Sequence, residues 1–393
     1  MTPAARLQAA IEILDGVAGA ARDAGAAADT LIARYFQTRR YAGSKDRRAV
    51  RELVYDAIRA IGERPKSGRA AMIGYARAKA PTLLELFGTD GHAPPAIVES
   101  DFASQAGLAP GWLMKRLRAQ FDKATEAEVA ALLGRAPLDL RINTLRGDTA
   151  DIEGAVPAPF APHGLRLTES VAVDAHPAYR EGLVEIQDEG SQLVCLAAGA
   201  KPGQTVVDLC AGAGGKTLAL AAAMGGQGRL IACDTDRGRL SRLPPRAERA
   251  GATNIETRLL DPNRETDALA DLAGTADLVL IDAPCSGTGT WRRNPEARWR
   301  LTPDRLDALT RLQGRLLDLG AALVRPGGRM VYVVCSLLPE EGEAQFDGFF
   351  ARHPGFDPAP FQLPTMDAAA PATLLTPLRH GCDGFFIAAT RKL

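Results

Sequence analysis

From about residue 186 onward the chain repeats one unit: a short run of aliphatic and β-branched residues, a turn, and a segment of helix length. The runs are "QTVVDLC", "RLIACD", "IETRLLD", "DLVLID" and "RMVYVVC", and the helix-length segments include 215–224 and 303–324. Strands that alternate with helices at this spacing are parallel and joined by crossovers, which restricts this part of the chain to a doubly wound α/β domain. Ligands of such sheets bind outside the carboxyl ends of the strands, at the switch point of the strand order. The residues that close each run are therefore the first place to look for function. One irregularity, Pro244-Pro245 in "RGRLSRLPPRAERAG", predicts a broken helix after the second strand.

The preceding half follows another pattern. Residues 1–80 carry apolar residues at helical spacing in "ARLQAAIEILDGV", "AADTLIARYF" and "DRRAVRELVYDAIRAI", with Asp29 and Ser44 in the expected cap regions. "GTDGHAPPAIVES" (88–100) is rich in turn residues and reads as a boundary. Helical pieces follow, from "PGWLMKRLRAQF" to "TEAEVAALLGRA", then a strand-like "LDLRINTL" (138–145) and a proline-rich connection at 155–164. At 393 residues the chain exceeds one ordinary core. It is expected to divide into an all-α domain over 1–100, a small α+β subdomain over 101–185, and the α/β domain over 186–393.

Charge and cysteine usage narrow the class. The formal net charge is zero, which gives no global sign of a polyanionic partner, but residues 34–69 hold eleven Arg/Lys against four Asp/Glu. The six cysteines lack zinc-ligand spacing and any tight disulfide framework. No 18-residue apolar run occurs, and "MTPAARLQAAIEILDG" lacks the long apolar centre of a signal peptide. A cytoplasmic monomer with reduced thiols, no metal and no membrane partner is the expectation.

The stretch "VVDLCAGAGGKT" (206–217) reads as strand, small-residue loop and helix. A Walker phosphate loop would need glycine where Cys210 stands, and a dinucleotide fingerprint would need glycine where Thr217 stands. What remains, Cys210, Ala211, Gly212, Ala213, Gly214, Gly215 and Lys216, allows a tight backbone turn against a ligand that need carry no phosphate. Asp234, at the end of the next strand, is suited to accept from both ribose hydroxyls, and Asp261, after the third, to receive an adenine amino group. Asp282 closes the fourth. A single strand-end acid is as readily a solvated cap, but four beside a glycine loop, counting Asp208 of "VVDLC", favour a cationic nucleoside. S-adenosylmethionine is such a ligand, and a class I methyltransferase is the reading.

Two cysteines stand just past strand ends, Cys285 in "DAPCSGTG" and Cys335 in "VYVVCSLL". A lone strand-end cysteine is more often a small buried filler. The pair suits a particular acceptor, C5 of a pyrimidine. That carbon is a poor nucleophile until a thiolate adds to C6, and the covalent adduct must then lose its C5 proton and expel the sulfur. One thiolate to attack and a second group to assist release match two cysteines on the loops of neighbouring strands. Cys195, Cys210, Cys233 and Cys382 read as fillers, with Cys210 able to reach the cofactor through its backbone.

Taken in order, "DLCAGAGGKT", "ACDTDRGRL", "LLDP", "DAPCSGTGTWRRNPEARWR", "VYVVCSLLPEEGE" and "GCDGFFIA" resemble the motifs of the RsmB/NOL/NOP/Sun family of RNA cytosine-5 methyltransferases. The resemblance covers residues 138–393, beginning with "LRINTL" and "EIQDEGSQL". The first 80 residues resemble the NusB-type helical RNA-binding domain of the RsmB branch. The fold implied is an all-α NusB-like domain, a small α+β RNA-binding subdomain, and a C-terminal class I Rossmann-like methyltransferase domain. The resemblance makes Cys335 the nucleophile and Cys285 the thiol that assists release. It places Asp282 at N3 of the target cytosine and Lys216 in the same pocket, with Cys210–Lys216, Asp234, Asp261 and Asp282 at the cofactor. Two positions depart from the family pattern: Ala-Gly-Ala-Gly-Gly-Lys replaces Ala-Ala-Pro-Gly-Gly-Lys, and Val334 stands where threonine is usual.

Neither thiol can reach a cytosine inside a duplex, so the target is single-stranded or flipped out. "TWRRNPEARWR" (290–300) follows Cys285, and Trp291, Arg292, Arg293 and Arg298 are expected to stack bases and grip phosphates beside the pocket. Arg39, Arg40, Lys45, Arg47 and Arg48 form a second expected RNA patch. The resulting expectation is 5-methylcytosine formation in RNA, with small-subunit ribosomal RNA as the substrate. Transfer RNA as the substrate and a non-catalytic RNA-binding assembly factor are the alternatives.

Overall fold

Helix α1 (Pro3–Arg22) starts where Thr2 accepts a hydrogen bond from the Ala5 N–H at 3.2 Å and Pro3 occupies the first turn. Both features favour initiation, since the first amides of a helix have no internal partner. Its apolar positions Leu7, Ile11, Leu14 and Val17 recur every three to four residues and bury one face. Against that face pack Ile32 and Phe36 of α2 (Ala28–Gln37), Val50, Val54 and Ile58 of α3 (Ser44–Ala60), and Met72 and Ile73 of α4 (Gly68–Lys79). Two further helices, α5 (Gly111–Phe121) and α6 (Thr125–Ala131), follow. The computed structural model describes all residues except 24, 90 and 170.

Asp29 and Ser44 lie in the first turns of α2 and α3, within the expected cap regions, but neither is the N-cap itself. The N-caps of α2 and α3 are Ala27 and Gly43, and Asp29 instead accepts from the Tyr55 hydroxyl at 2.6 Å. The free amide at the start of α2 is met from far along the chain: Ala28 N–H donates to Glu296 at 3.0 Å. Residues 101–135, expected with the small subdomain, and Thr290–Pro303, expected with the α/β domain, join the preceding helices in one compact unit, Met1–Arg135 with Thr290–Pro303; the second unit is Ala136–Gly289 with Asp304–Leu393.

Within the second unit a small antiparallel sheet has the order β2-β3-β1-β4, made of β1 (Leu138–Ile142), β2 (Ala155–Pro157), β3 (Gly164–Leu167) and β4 (Val184–Ile186). Its core is Leu140, Leu167, Val173, Ala178 and Val184. Arg166 of β3 bridges the buried Asp139 at 2.8 Å and Glu189 at 3.0 Å, linking this sheet to the helix Glu189–Ala198.

The large sheet contains each of the five expected strands: β5 (Thr205–Asp208), β6 (Arg229–Asp234), β7 (Ile255–Leu259), β8 (Ala276–Asp282) and β9 (Val324–Val334). They are parallel in the order β7-β6-β5-β8-β9. Val206, Val207, Leu280, Ile281, Val331 and Val333 are buried, as expected for strands covered on both faces. Three short or late strands complete it, β10 (Phe356–Pro358), β11 (Ala372–Leu375) and β12 (Phe385–Lys392). The C-terminal "FFIAATRK" is β12, which runs antiparallel beside β9. The chain leaves β5 toward β6 and β7, then returns to β8 and β9 on the other side. The crevice outside the carboxyl ends of β5 and β8 is therefore the switch point. Among the described residues, no helix is long and apolar enough to cross a membrane.

Candidate active site

The glycine turn leaves β5 and enters the helix Gly215–Ala223. Gly212 and Gly214 have φ of +57° and +86°, a region that costs a side chain-bearing residue free energy. A Cβ on Gly214 would also lie 2.2 Å from Leu243 Cδ1, so the turn is closed from beneath. The buried Asp234 accepts from the Gly212 N–H at 2.7 Å and from the Asp236 N–H at 2.7 Å, which fixes its carboxylate at the mouth of the turn. Below, Thr217 donates to Asp208 at 2.7 Å, and burial pushes the Asp208 carboxyl up to about 7.

The double proline acts as expected. The segment after β6 forms two short helices, Arg237–Leu240 and Leu243–Ala250, with the prolines in the first turn of the second, where missing amides are tolerated. The break brings Leu243 under Gly214 and directs Arg246 to the turn: its guanidinium donates to the Ala213 carbonyl at 2.5 Å and to Glu185 of β4 at 2.8 Å.

Parallel pairing of β8 with β9 sets Asp282 opposite Val333, so the two following loops emerge side by side. Cys285 and Cys335 meet there, with their sulfurs 3.3 Å apart and both side chains half-buried. The hydrogen bond with Cys335, reinforced by burial, holds the Cys285 thiol well above the usual thiol range. Lys216, at the helix start, donates to Asp282 at 2.7 Å. Burial works against its charge, but the adjacent Asp282 carboxylate outweighs it and the ammonium is held above the usual lysine range.

A cavity of about 380 Å³ runs from the glycine turn to the thiols. Leu209, Cys210, Asp234, Asp282, Cys285 and Cys335 line it, joined by Leu260, Pro262, Ala283 and Pro284. Its lining supplies carboxylates for a cation and ribose hydroxyls, apolar walls for a base, and two sulfurs. Burial pushes the Cys210 thiol far up, with Asp282, Asp208 and Asp234 adding to the effect, so this cysteine contributes wall and backbone rather than a thiolate.

Several expected residues lie elsewhere. Asp261 stands two positions beyond β7 with its side chain exposed, outside the lining that its neighbours Leu260 and Pro262 form. The adenine contact expected of it is thus not prepared by the fold. Trp291 and Arg298 are both 0% exposed, which corrects their reading as RNA-gripping groups; Arg292 is buried and Arg293 half-buried. Arg298 spends its guanidinium on the carbonyls of Ile58, Arg59 (3.1 Å) and Ile61 (2.8 Å) at the end of α3, where helix carbonyls lack partners. In the other patch Arg40, Lys45, Arg47 and Arg48 are exposed, and Arg39 stacks on Tyr35 with its guanidinium carbon 3.7 Å from the ring centre.

Other residues of the site escaped the sequence reading. Glu341 is fully buried between the thiol loops and accepts hydrogen bonds from both. Thr235, Asp236, Arg239, Glu265 and Arg315 join the cavity lining. The one available signal for Glu341 was an acid pair soon after Cys335-Ser336, and nothing in that pair says which member turns inward.

Residues 195–391 match the family described as 16S rRNA methyltransferase RsmB/F, and 109–174 match the ferredoxin-like domain of RsmF/B-like methyltransferases. The chain is 34% identical over 298 residues to a probable ribosomal RNA small subunit methyltransferase B of Synechocystis, covering 72% of this chain and 66% of that one. It is 34% identical over 299 residues to ribosomal RNA small subunit methyltransferase B of Xanthomonas campestris, covering 74% and 68%. The chain thus spans about two thirds of the length of the curated relatives it matches. Among solved structures, a methyltransferase homologue protein from Pyrococcus horikoshii is 28% identical with a TM-score of 0.62, covering 73% of this chain and 96% of that one.

Proposed function

Since the chain belongs to the RsmB/F family of 16S rRNA methyltransferases, we propose that it methylates C5 of a cytosine in small-subunit ribosomal RNA. The cofactor is S-adenosylmethionine, which supplies an electrophilic methyl group on a sulfonium. The cavity fits it: Asp234 and Asp282 suit its ribose and positive charge, and Leu260 and Pro262 its base.

The chain's own groups divide the work as follows. The Cys335 thiolate adds to C6 of a flipped-out cytosine, which makes C5 nucleophilic. Asp282, held by Lys216, faces N3 of the ring, where a hydrogen bond helps the base accept electron density. After methyl transfer the C5 proton leaves to a base, the C6–S bond breaks, and the Cys335 thiolate is restored. Cys285, kept as a thiol beside it, assists that release. The single observation that carries this reading is the 3.3 Å approach of two sulfurs at the end of a cavity that begins at the glycine turn.

We assign the helical unit of Met1–Arg135 and Thr290–Pro303, whose first 100 residues we read as NusB-like, to RNA binding, the small sheet of β1 to β4 to substrate binding, and the large sheet to methyl transfer, in a cytoplasmic monomer. The test uses labelled cofactor and small-subunit RNA. Cys335→Ala should abolish label transfer to C5, whereas Cys285→Ala should accumulate an RNA–protein adduct. An active Cys335→Ala variant refutes the assignment.

A further inference from the structure

Glu341 lies six residues past Cys335, on the turn that follows β9, and is 0% exposed. Four neutral donors converge on its carboxylate. One oxygen accepts from the Ser286 N–H at 2.8 Å and from Gln313 Nε2 at 3.0 Å; the other accepts from the Ser336 hydroxyl at 2.5 Å and from the Ser286 hydroxyl. Ser286 follows Cys285 and Ser336 follows Cys335. Gln313, on the helix Pro303–Leu323, also donates to the Pro284 carbonyl at 2.9 Å, immediately before Cys285. The brace extends further: Thr288 meets Ser336 at 3.1 Å and accepts from Leu337 N–H at 2.8 Å, and the Tyr332 hydroxyl donates to the Glu341 carbonyl at 2.7 Å.

A buried carboxylate is costly to keep unless its acceptor sites are filled. Here every filling donor is attached to a thiol loop or to the helix behind it. We propose that Glu341 is a positioning residue whose carboxylate ties the Cys285 loop to the Cys335 loop and so sets the distance between the two sulfurs. The alternative is a purely structural acid whose loss costs stability and nothing else. The charge of Glu341 also adds to the forces that keep the Cys285 thiol protonated. The importance for catalysis rests on the roles assigned to the two thiols above; the claim about their distance does not.

The test therefore has one readout independent of methyl transfer. Diamide oxidises two adjacent thiols to a disulfide, removing two hydrogens and itself becoming the hydrazine, so sulfurs held in contact should couple quickly. In the 393-residue chain, mass spectrometry should find a Cys285–Cys335 disulfide that is absent in Cys285→Ser. In Glu341→Gln, which keeps the size but sets an NH2 group among donors, its formation should slow by about an order of magnitude, although loss of the charge by itself favours the reactive Cys285 thiolate. The rate at saturating cofactor and RNA should fall about 100-fold, the scale of an ångström-sized misplacement, with the KM for S-adenosylmethionine unchanged. Ser336→Ala, which removes one donor only, should give a smaller change of the same kind if Glu341→Gln fails to fold. Unchanged disulfide kinetics in a folded variant overturns the proposal. A Glu341-dependent disulfide rate in a protein that never methylates cytosine upholds the positioning and overturns the function instead.

Discussion

Two stretches of this chain look alike in sequence and end in opposite environments. Residues 39–48 and 290–300 are both rich in arginine with aromatic residues in or beside them, and both read as RNA-gripping. In the first, Arg40, Lys45, Arg47 and Arg48 face solvent. In the second, Arg298 is fully buried and turns to backbone carbonyls, Trp299 donates to Ile61 O at 3.1 Å and Glu296 caps α2. The difference teaches that arginine density alone does not mark a nucleic-acid surface. A planar guanidinium with several donors is also well suited to close the open carbonyls of a helix end.

The comparison can be broken most directly at Arg298. Arg298→Ala should lower the stability of the helical unit by about 2–3 kcal/mol in chemical denaturation, because buried carbonyls lose their donor inside a packed region. RNA affinity measured under folding conditions should hardly change; a selective loss of RNA affinity at full stability would mean the segment is an RNA surface after all. A smaller effect of opposite character is expected from the combined change Arg40→Ala, Lys45→Ala and Arg48→Ala. RNA binding should weaken about 10- to 100-fold, and the slope of log K against log salt should fall by about 2. The unfolding midpoint should stay put. A salt slope that does not move would remove these side chains from the RNA contact. The smallest effect is reserved for Glu296→Ala, which should cost about 1 kcal/mol, the usual scale of a lost helix cap, with no change in RNA binding.

The legibility of the molecule follows the range of the interactions. Five strands, their parallel direction and the strand-end position of the candidate groups were readable because apolar runs and turn residues act locally. The adjacency of Cys285 and Cys335 was readable too, since it needs only the neighbouring places of β8 and β9. The double proline broke the helix as read, but that the break would aim Arg246 at Ala213 required the position of β4 and its Glu185. Asp261, expected at the cofactor as a strand-end acid and from the family resemblance, lies two residues past the pairing of β7 and faces solvent.

Residue order alone thus settled the class of the sheet, the glycine turn whose backbone no other residue type adopts as cheaply, and the pair of sulfurs at adjoining strand ends. Only the folded chain decided which arginines meet water and which meet carbonyls, and which of two consecutive glutamates, Glu340 or Glu341, braces the thiol loops. Periodicity and backbone preference are carried by neighbours in sequence. Burial and hydrogen-bond satisfaction depend on partners such as Glu296 and Ala28, hundreds of positions apart, which no local pattern announces.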